Sequence, residues 1–128
     1  MSISIYYTAE RRKLLSPEEL AAIASITERY SVDSAIEALI AGGTGLNWES
    51  FHYATNPKPG KLFRAVPVFQ GATKLPGNTE NATWEGVQHW CACLSDLRRV
   101  VRAATWRVAV EDHEIVWNEQ GQAYDPSV

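Results

Sequence analysis

Cysteine, methionine and net positive charge are all scarce in this chain. Its 128 residues include two cysteines and one methionine, and fifteen acidic residues outnumber twelve basic ones. Small secreted domains held together by disulfides are dense in cysteine, and proteins that bind nucleic acid through its phosphates need a basic surface. The composition therefore predicts reduced thiols and no direct nucleic-acid partner.

Long apolar runs are also missing. No stretch approaches the ~20 apolar residues that a membrane-spanning helix needs. The first residues lack the basic segment and the following apolar region of a secretory signal. The sequence therefore predicts a cytoplasmic location and no membrane partner.

What the chain does contain is an ordinary globular composition with many aromatic residues. Hydrophobic residues make up 45% and charged residues 21%, with five Trp and five Tyr. A chain of this length fits one domain with one core. We therefore predict a single α+β domain over residues 1–128, and the aromatic residues suit both a core and a binding surface.

The first half of the chain has clear signals for a strand and a helix. Residues 2–9 alternate in polarity, which predicts a strand with Ile3, Ile5 and Tyr7 on one face. Ser16 and Glu19 have the spacing of a capping box, which predicts a helix from there to about residue 30. Residues 32–41 are ambiguous, with Asp33 as a possible cap for a second short helix that the glycines at 42 and 43 would end.

The middle of the chain predicts two further strands and a loop. Residues 46–54 alternate imperfectly, which indicates a strand with a bulge near residues 49–50. Residues 62–70 form an apolar run interrupted by Pro67, so this strand should be an edge strand or a broken one. Residues 71–77 lack the glycine spacing of a phosphate-binding loop, and we predict a plain connection there.

Residues 81–102 predict the main helix, with Asn81 as its cap. Its apolar face should consist of Trp84, Val87, Cys91, Leu94, Leu97 and Val101. Two strands follow. The order β-α-(α)-β-β-α-β-β is compatible with a ferredoxin-like α/β sandwich, with a mainly antiparallel sheet and two main helices on one face.

The end of the chain carries the candidate site. Residues 105–117 predict two strands joined by a tip of four polar residues. The tip and the polar and aromatic residues that follow it are Glu111, Asp112, His113, Glu114, Trp117, Glu119, Tyr124 and Asp125. Such carboxylates beside exposed aromatic rings suit a surface that receives Arg or Lys side chains of a protein partner. The alternatives are the acid and base of a hydrolase, or an ordinary solvated turn.

A metal site or a catalytic nucleophile is suggested by His89, Cys91 and Cys93. Only His89 and Cys93, however, are four residues apart and so lie on the same side of a helix, and two ligands do not make a metal site. We therefore predict no metal site and no cofactor. Both thiols are predicted to be structural: Cys93→Ser should leave binding intact, whereas Cys91→Ser, on the apolar face, should cost stability. The basic runs at residues 11–13 and 98–102 are interpreted as a solvated turn and a helix end.

Several segments together resemble a family of small bacterial cytoplasmic proteins that are similar to immunity proteins of polymorphic toxin systems. These segments are residues 5–9, 15–19 and 71–76, and the closing motifs that begin at Leu97, Trp106, Asp112, Trp117 and Tyr124. The resemblance implies a small binding protein that blocks a toxin, and it transfers no catalytic residue.

We therefore expect an immunity-type inhibitor and not an enzyme, with a cognate toxin as the partner. A basic surface on that toxin would complement the acidic tip. The alternatives are a ligand-binding or oligomeric regulatory domain of ferredoxin-like type, and a small hydrolase. The oligomeric state stays open.

Overall fold

A computed structural model describes residues 2–128 and has an α+β architecture, as the sequence predicts. A five-stranded antiparallel sheet lies beside the helices, and a separate two-stranded hairpin follows at the end of the chain. The elements are β1 (Ser4–Arg11), α1 (Pro17–Arg29), α2 (Asp33–Gly42), β2 (Tyr53–Thr55), β3 (Val66–Lys74), α3 (Ala82–Val100), β4 (Thr105–Val110), β5 (His113–Glu114), β6 (Val116–Asn118) and β7 (Ala123–Asp125).

The first strand lies at the centre of the main sheet, whose order is β2-β3-β1-β4-β5. Ile5 lies opposite Thr73 of β3 on one side and Val110 of β4 on the other. The predicted alternation is confirmed within β1, where Ile5 and Tyr7 are buried while Tyr6 is 45% exposed. One face of the sheet is therefore covered and the other reaches solvent.

Helix α1 begins with the predicted capping box. The Ser16 side chain accepts a hydrogen bond from the Glu19 backbone N–H, and the Glu19 carboxylate accepts one from the Ser16 backbone N–H. These bonds satisfy backbone donors that the first helical turn leaves free. Ile23 and Ile26 then bury against the same core that holds the inner face of β1.

Helix α3 is buried on more than one side. Val87, Cys91, Leu94, Leu97 and Val101 are buried as predicted, but Trp84 is 42% exposed, so its assignment to the apolar face is wrong. Two further side chains, those of Trp90 and Cys93, are also fully buried. Trp90 packs against Trp48 and Phe51 of the segment before β2, and α3 also contacts both α1 and β7.

The structure differs from the sequence prediction in the middle of the chain. Of residues 46–54, only Tyr53 and Ala54 belong to β2, and the rest is an irregular segment. Its rings pack individually: Phe51 stacks on Tyr7 at 4.7 Å and on Trp90 at 5.0 Å between centroids. The aromatic pattern therefore reflects core packing and not strand alternation.

Residues 71–74 continue β3, so the prediction of a connecting loop over 71–77 is wrong for this part. Gly71 permits the irregular segment to press on the strand, since a Cβ there would lie 2.1 Å from the His52 carbonyl oxygen. The Tyr7 hydroxyl donates to the same oxygen at 2.5 Å. Pro67 lies beyond the last β2 pair, Thr55 with Phe69, so its missing N–H interrupts no bond to β2.

Helix α2 is packed much more loosely than α1. It contains no buried side chain, and Ile40 is 81% exposed. The predicted cap by Asp33 is wrong, because Val32 occupies the N-cap position and no side chain caps the helix. The predicted glycine stop is confirmed, since Gly43 ends the helix in a left-handed conformation with φ 68°.

Candidate interaction surface

The polar tip forms a tight turn at one end of the main sheet. Val110 pairs with His113, so Glu111 and Asp112 make the connection between β4 and β5. Glu111 has φ 52°, and its backbone N–H donates to the Ser4 carbonyl at 3.1 Å. The turn is thus fastened to the start of the central strand. We call residues Glu111–Glu114 the acidic turn.

Not every carboxylate of the acidic turn is free to bind a partner. Glu111, Asp112 and His113 are exposed, and within residues 2–128 Glu111 and Asp112 form no ion pair. Glu114 instead lies 3.3 Å from the Arg107 guanidinium on β4. Such an exposed pair contributes about 0–1 kcal/mol to stability, but it places a cation beside one of the carboxylates.

The two aromatic residues predicted beside the tip lie elsewhere. Trp117 and Tyr124 face each other on the β6–β7 hairpin, at 5.0 Å between ring centroids. Tyr124 is 6% exposed, and its backbone N–H donates to the Ser95 hydroxyl of α3 at 2.9 Å. The expectation of an exposed Tyr124 at the surface is therefore wrong, because the β6–β7 hairpin uses this ring to cover α3.

Arg98 of α3 occupies the space where a partner's cation was expected. Its guanidinium lies 4.3 Å from the Trp117 ring centroid and donates to the Tyr124 hydroxyl at 3.2 Å. Burial raises the pKa of Tyr124, and the hydrogen bond from Arg98 acts in the opposite direction. The β6–β7 hairpin therefore already holds an internal cation, 4.3 Å from the Trp117 ring centroid and 5.6 Å from that of Tyr124.

The last two predicted residues have local roles. Asp125 accepts hydrogen bonds from the backbone N–H and the hydroxyl of Ser127, which lower the pKa of its carboxyl. Glu119 is exposed and accepts a hydrogen bond from the Gln122 side chain at 3.2 Å. The eight predicted residues thus form two groups, the acidic turn and the β6–β7 hairpin, and Ile115 is buried between them.

Arg11, which the sequence places in a solvated turn, is instead almost enclosed. Its side chain is 9% exposed and forms an ion pair with Glu19 at 2.5 Å. It also donates to the carbonyl oxygens of Lys13, Leu14 and Arg102, at 2.7, 3.3 and 3.0 Å. The Arg11 hydrogen bond lowers the pKa of Glu19 to about 2. The two basic runs are therefore joined in space, at the end of β4 opposite the acidic turn.

A second polar cluster surrounds Asp96 and was missed by the sequence reasoning. The Asp96 carboxylate accepts from the Tyr30 hydroxyl at 2.7 Å and from Arg29 at 3.2 Å, and it also pairs with Arg99. Burial, together with Asp96, raises the pKa of Tyr30 to about 12. An open cavity of about 340 Å³ lies beside this cluster, between α3 and β7. Tyr30 and Asp96 lie 66 residues apart in sequence, so no local motif could reveal this cluster.

The thiols of Cys91 and Cys93 are both buried, and burial raises the pKa of each to about 12. The predicted difference between the two cysteines assumed that only Cys91 lies on the apolar face of the helix. That assumption is wrong, because both side chains are buried in the core. The His89 Nε2 atom lies 2.7 Å from the Tyr30 carbonyl oxygen. Within residues 2–128 no three His, Cys, Asp or Glu side chains converge as a metal site.

Comparisons with family models, with curated proteins and with solved structures found no match to this chain. Among residues 2–128, no helix combines the length and the apolar character needed to cross a bilayer.

Proposed function

We propose that this protein is an immunity-type inhibitor that binds a cognate bacterial toxin in the cytoplasm through the acidic turn. The antiparallel order β2-β3-β1-β4 supports a ferredoxin-like arrangement to which β5 adds an edge strand. This arrangement would hold the acidic turn at the end of a rigid sheet.

The segregation of charge is the observation that carries the proposal. Glu111 and Asp112 lie at one end of β4, while Arg11 and Arg102 lie at the other end. A fixed turn with free carboxylates at one end attracts a basic surface and orients it during approach. Since Glu111 is held by its backbone bond to Ser4, little ordering is needed when a partner binds.

The proposed interface is narrower than the one expected from sequence. Its centre is Glu111, Asp112 and His113, with Glu114 shared between the partner and Arg107. Trp117, Glu119 and Asp125 would lie at its margin, and Tyr124 would support the β6–β7 hairpin from within. The partner's cations would therefore meet the turn and not the Trp117 ring, which Arg98 already covers.

The test is a combined reversal, Glu111→Lys, Asp112→Lys and Glu114→Lys, assayed against the toxin-sized product of the neighbouring reading frame. Affinity should fall by at least about 2 kcal/mol, roughly thirtyfold, because reversing a desolvated interfacial charge costs that much or more. Association of the unaltered protein should also slow as salt rises, over a screening length of ~8–10 Å. Calorimetry and stopped-flow binding measure the two effects.

The matched control reverses three exposed carboxylates on other elements, Glu28→Lys, Glu37→Lys and Glu80→Lys. It changes the net charge equally and should reduce affinity much less. Equal losses in both triple variants would show a general charge effect, and unchanged toxin affinity in the acidic-turn variant would refute the proposed interface.

One observation favours the alternative of an oligomeric or ligand-binding domain. On the open face of the sheet, Tyr6 is 45% exposed and lies between the small side chains of Ala72 and Ala109. A second subunit or a flat ligand could lie on that face. Under this alternative, the acidic-turn reversal would leave the interaction with the partner unchanged.

A further inference from the structure

Arg11, Arg12, Lys13 and Arg102 lie together opposite the acidic turn, and we call this region the basic end. A turn at the basic end carries two exposed apolar side chains. Lys61 and Arg64 pair with each other across it, and the Arg64 backbone N–H donates to the Lys61 carbonyl at 3.3 Å. Leu62 and Phe63 form its tip and are 84% and 79% exposed. Large apolar side chains side by side on a protrusion mark a contact surface more often than isolated ones do. We call residues 61–64 the apolar tip.

The apolar tip has a fixed place beside the basic runs. Asn56 anchors the loop that leads to it, because its side chain accepts from the Leu15 backbone N–H at 2.9 Å and donates to the Leu15 carbonyl at 3.2 Å. After the tip, the chain enters β3, where Val66 pairs with Arg11 of β1. The loop is therefore fastened on both sides.

Basic side chains lie around the apolar tip. Six basic side chains at this end are exposed and form no salt bridge within residues 2–128. They are Arg12, Lys13, Lys58, Lys61, Arg64 and Arg102. Arg12, Lys13 and Arg102 line one groove together with Ala65, which follows the tip directly. Glu10 also lines this groove, and Glu18 is exposed nearby, so the local excess of charge is positive.

We propose that this end of the protein binds reversibly to the surface of an anionic membrane, with Leu62 and Phe63 at the level of the headgroups. A bilayer surface accepts a protruding apolar tip without a matching pocket, and its anionic headgroups attract the surrounding Lys and Arg side chains. This is attachment to a surface and needs no membrane-spanning helix, which residues 2–128 do not contain. The proposal replaces the sequence-based expectation that the protein has no membrane partner.

Two features favour lipid over nucleic acid. Single-stranded nucleic acid is held by successive aromatic platforms, whereas this tip pairs one aromatic ring with Leu62, which offers no stacking surface. The acidic turn, moreover, lies at the far end of β4, a strand of six residues, at roughly 20 Å from the basic end. At about two screening lengths it repels an anionic surface only weakly.

Vesicle co-sedimentation of the intact chain tests the proposal, with phosphatidylcholine alone and with about 30% phosphatidylglycerol added. We expect at least tenfold stronger binding to the anionic vesicles, and weaker binding as salt rises. The double variant Leu62→Ser with Phe63→Asn should lose at least tenfold in affinity. Asn is chosen because Phe63 has φ 61°, a conformation that Asn tolerates well.

Two matched controls separate the tip from general effects. Ile40→Ser removes an apolar side chain of similar exposure, 81%, from α2 and should bind like the unaltered protein. Lys61→Glu with Arg64→Glu should abolish binding, whereas Arg29→Glu with Lys74→Glu, the same change of charge outside the basic end, should retain most of it. Circular dichroism melting of every variant confirms folding.

Three results would overturn the proposal. These are equal binding to neutral and anionic vesicles, full binding by the tip variant, and binding to a single-stranded oligonucleotide in the absence of vesicle binding. Because none of these variants alters the acidic turn, their outcome is independent of toxin binding.

Discussion

At the end of β1 that holds Arg11, a charged side chain is almost enclosed by hydrogen-bond acceptors, whereas at the other end the acidic turn leaves its carboxylates in solvent. Arg11 joins β1, α1 and the segment after α3, since it bonds both Glu19 and the Arg102 carbonyl. Within residues 2–128, the side chains of Glu111 and Asp112 form no ion pair with another element. Charge at one end therefore contributes to the fold, and charge at the other end remains available for a partner.

The largest effect should come from breaking the enclosed charge. Arg11→Met leaves Glu19 without its ion pair and three carbonyl oxygens without a donor, so the free energy of unfolding should fall by about 3 kcal/mol. Urea denaturation measures this loss. The neighbouring and exposed Arg12→Gln is the control and should stay within about 0.5 kcal/mol of the unaltered protein. Similar small losses in both variants would contradict the structural role of Arg11.

A smaller effect, with a defined pH dependence, should come from Glu19→Gln. The folded pKa of Glu19 is about 2, below its ordinary value of 4.5, so its ion pair stabilises the fold fully above pH 4.5 and is lost as pH falls towards 2. The variant should be about 2 kcal/mol less stable at neutral pH, since bonds to charged groups contribute roughly that much. The difference should shrink towards pH 2.

The control for this titration is Glu18→Gln, which removes an exposed carboxylate from the same helical turn. Its stability difference should be small at every pH. A difference for Glu19→Gln that stayed constant from neutral pH to pH 2 would show that the carboxylate charge does not stabilise the fold.

The smallest effect should come from the acidic turn and should have the opposite sign. Glu111 has φ 52°, where residues with a Cβ are strained, so Glu111→Gly should raise the free energy of unfolding by up to about 1 kcal/mol. Asp112 has no such conformation, and Asp112→Gly should lower it by about 0.5 kcal/mol. Thermal melting distinguishes the two, and equal destabilisation would show that the turn is not strained at Glu111.

The sequence predicted well those features of the fold that depend on contacts between neighbouring residues. The capping box of Ser16 and Glu19 is correct because its bonds lie within one helical turn. The glycine stop of α2 and the alternation in β1 are local in the same sense. The acidic turn also follows from neighbouring residues, since Val110 and His113 pair directly across it.

Contacts between distant segments were the part that sequence missed. Arg11 looks solvated because nothing nearby reveals that the Arg102 carbonyl will accept from it. Tyr124 looks exposed because its partner, Ser95, belongs to an earlier helix. Cys93 is buried because α3 packs on more than one side. Each of these errors concerns a contact between residues that are far apart in sequence. Such contacts exist only after the helices and the sheet have packed together.

The central position of β1 also governs how the chain can fold while it is being synthesised. Ile5 emerges from the ribosome early, but its two neighbours in the sheet, Thr73 and Val110, emerge much later. The two edges of β1 therefore stay without partners until β3 and β4 have been synthesised, and pairings between such distant segments form slowly. Until β4 is complete, the nascent chain therefore exposes the apolar face of β1, with Ile5 and Tyr7, beside an unpaired strand edge.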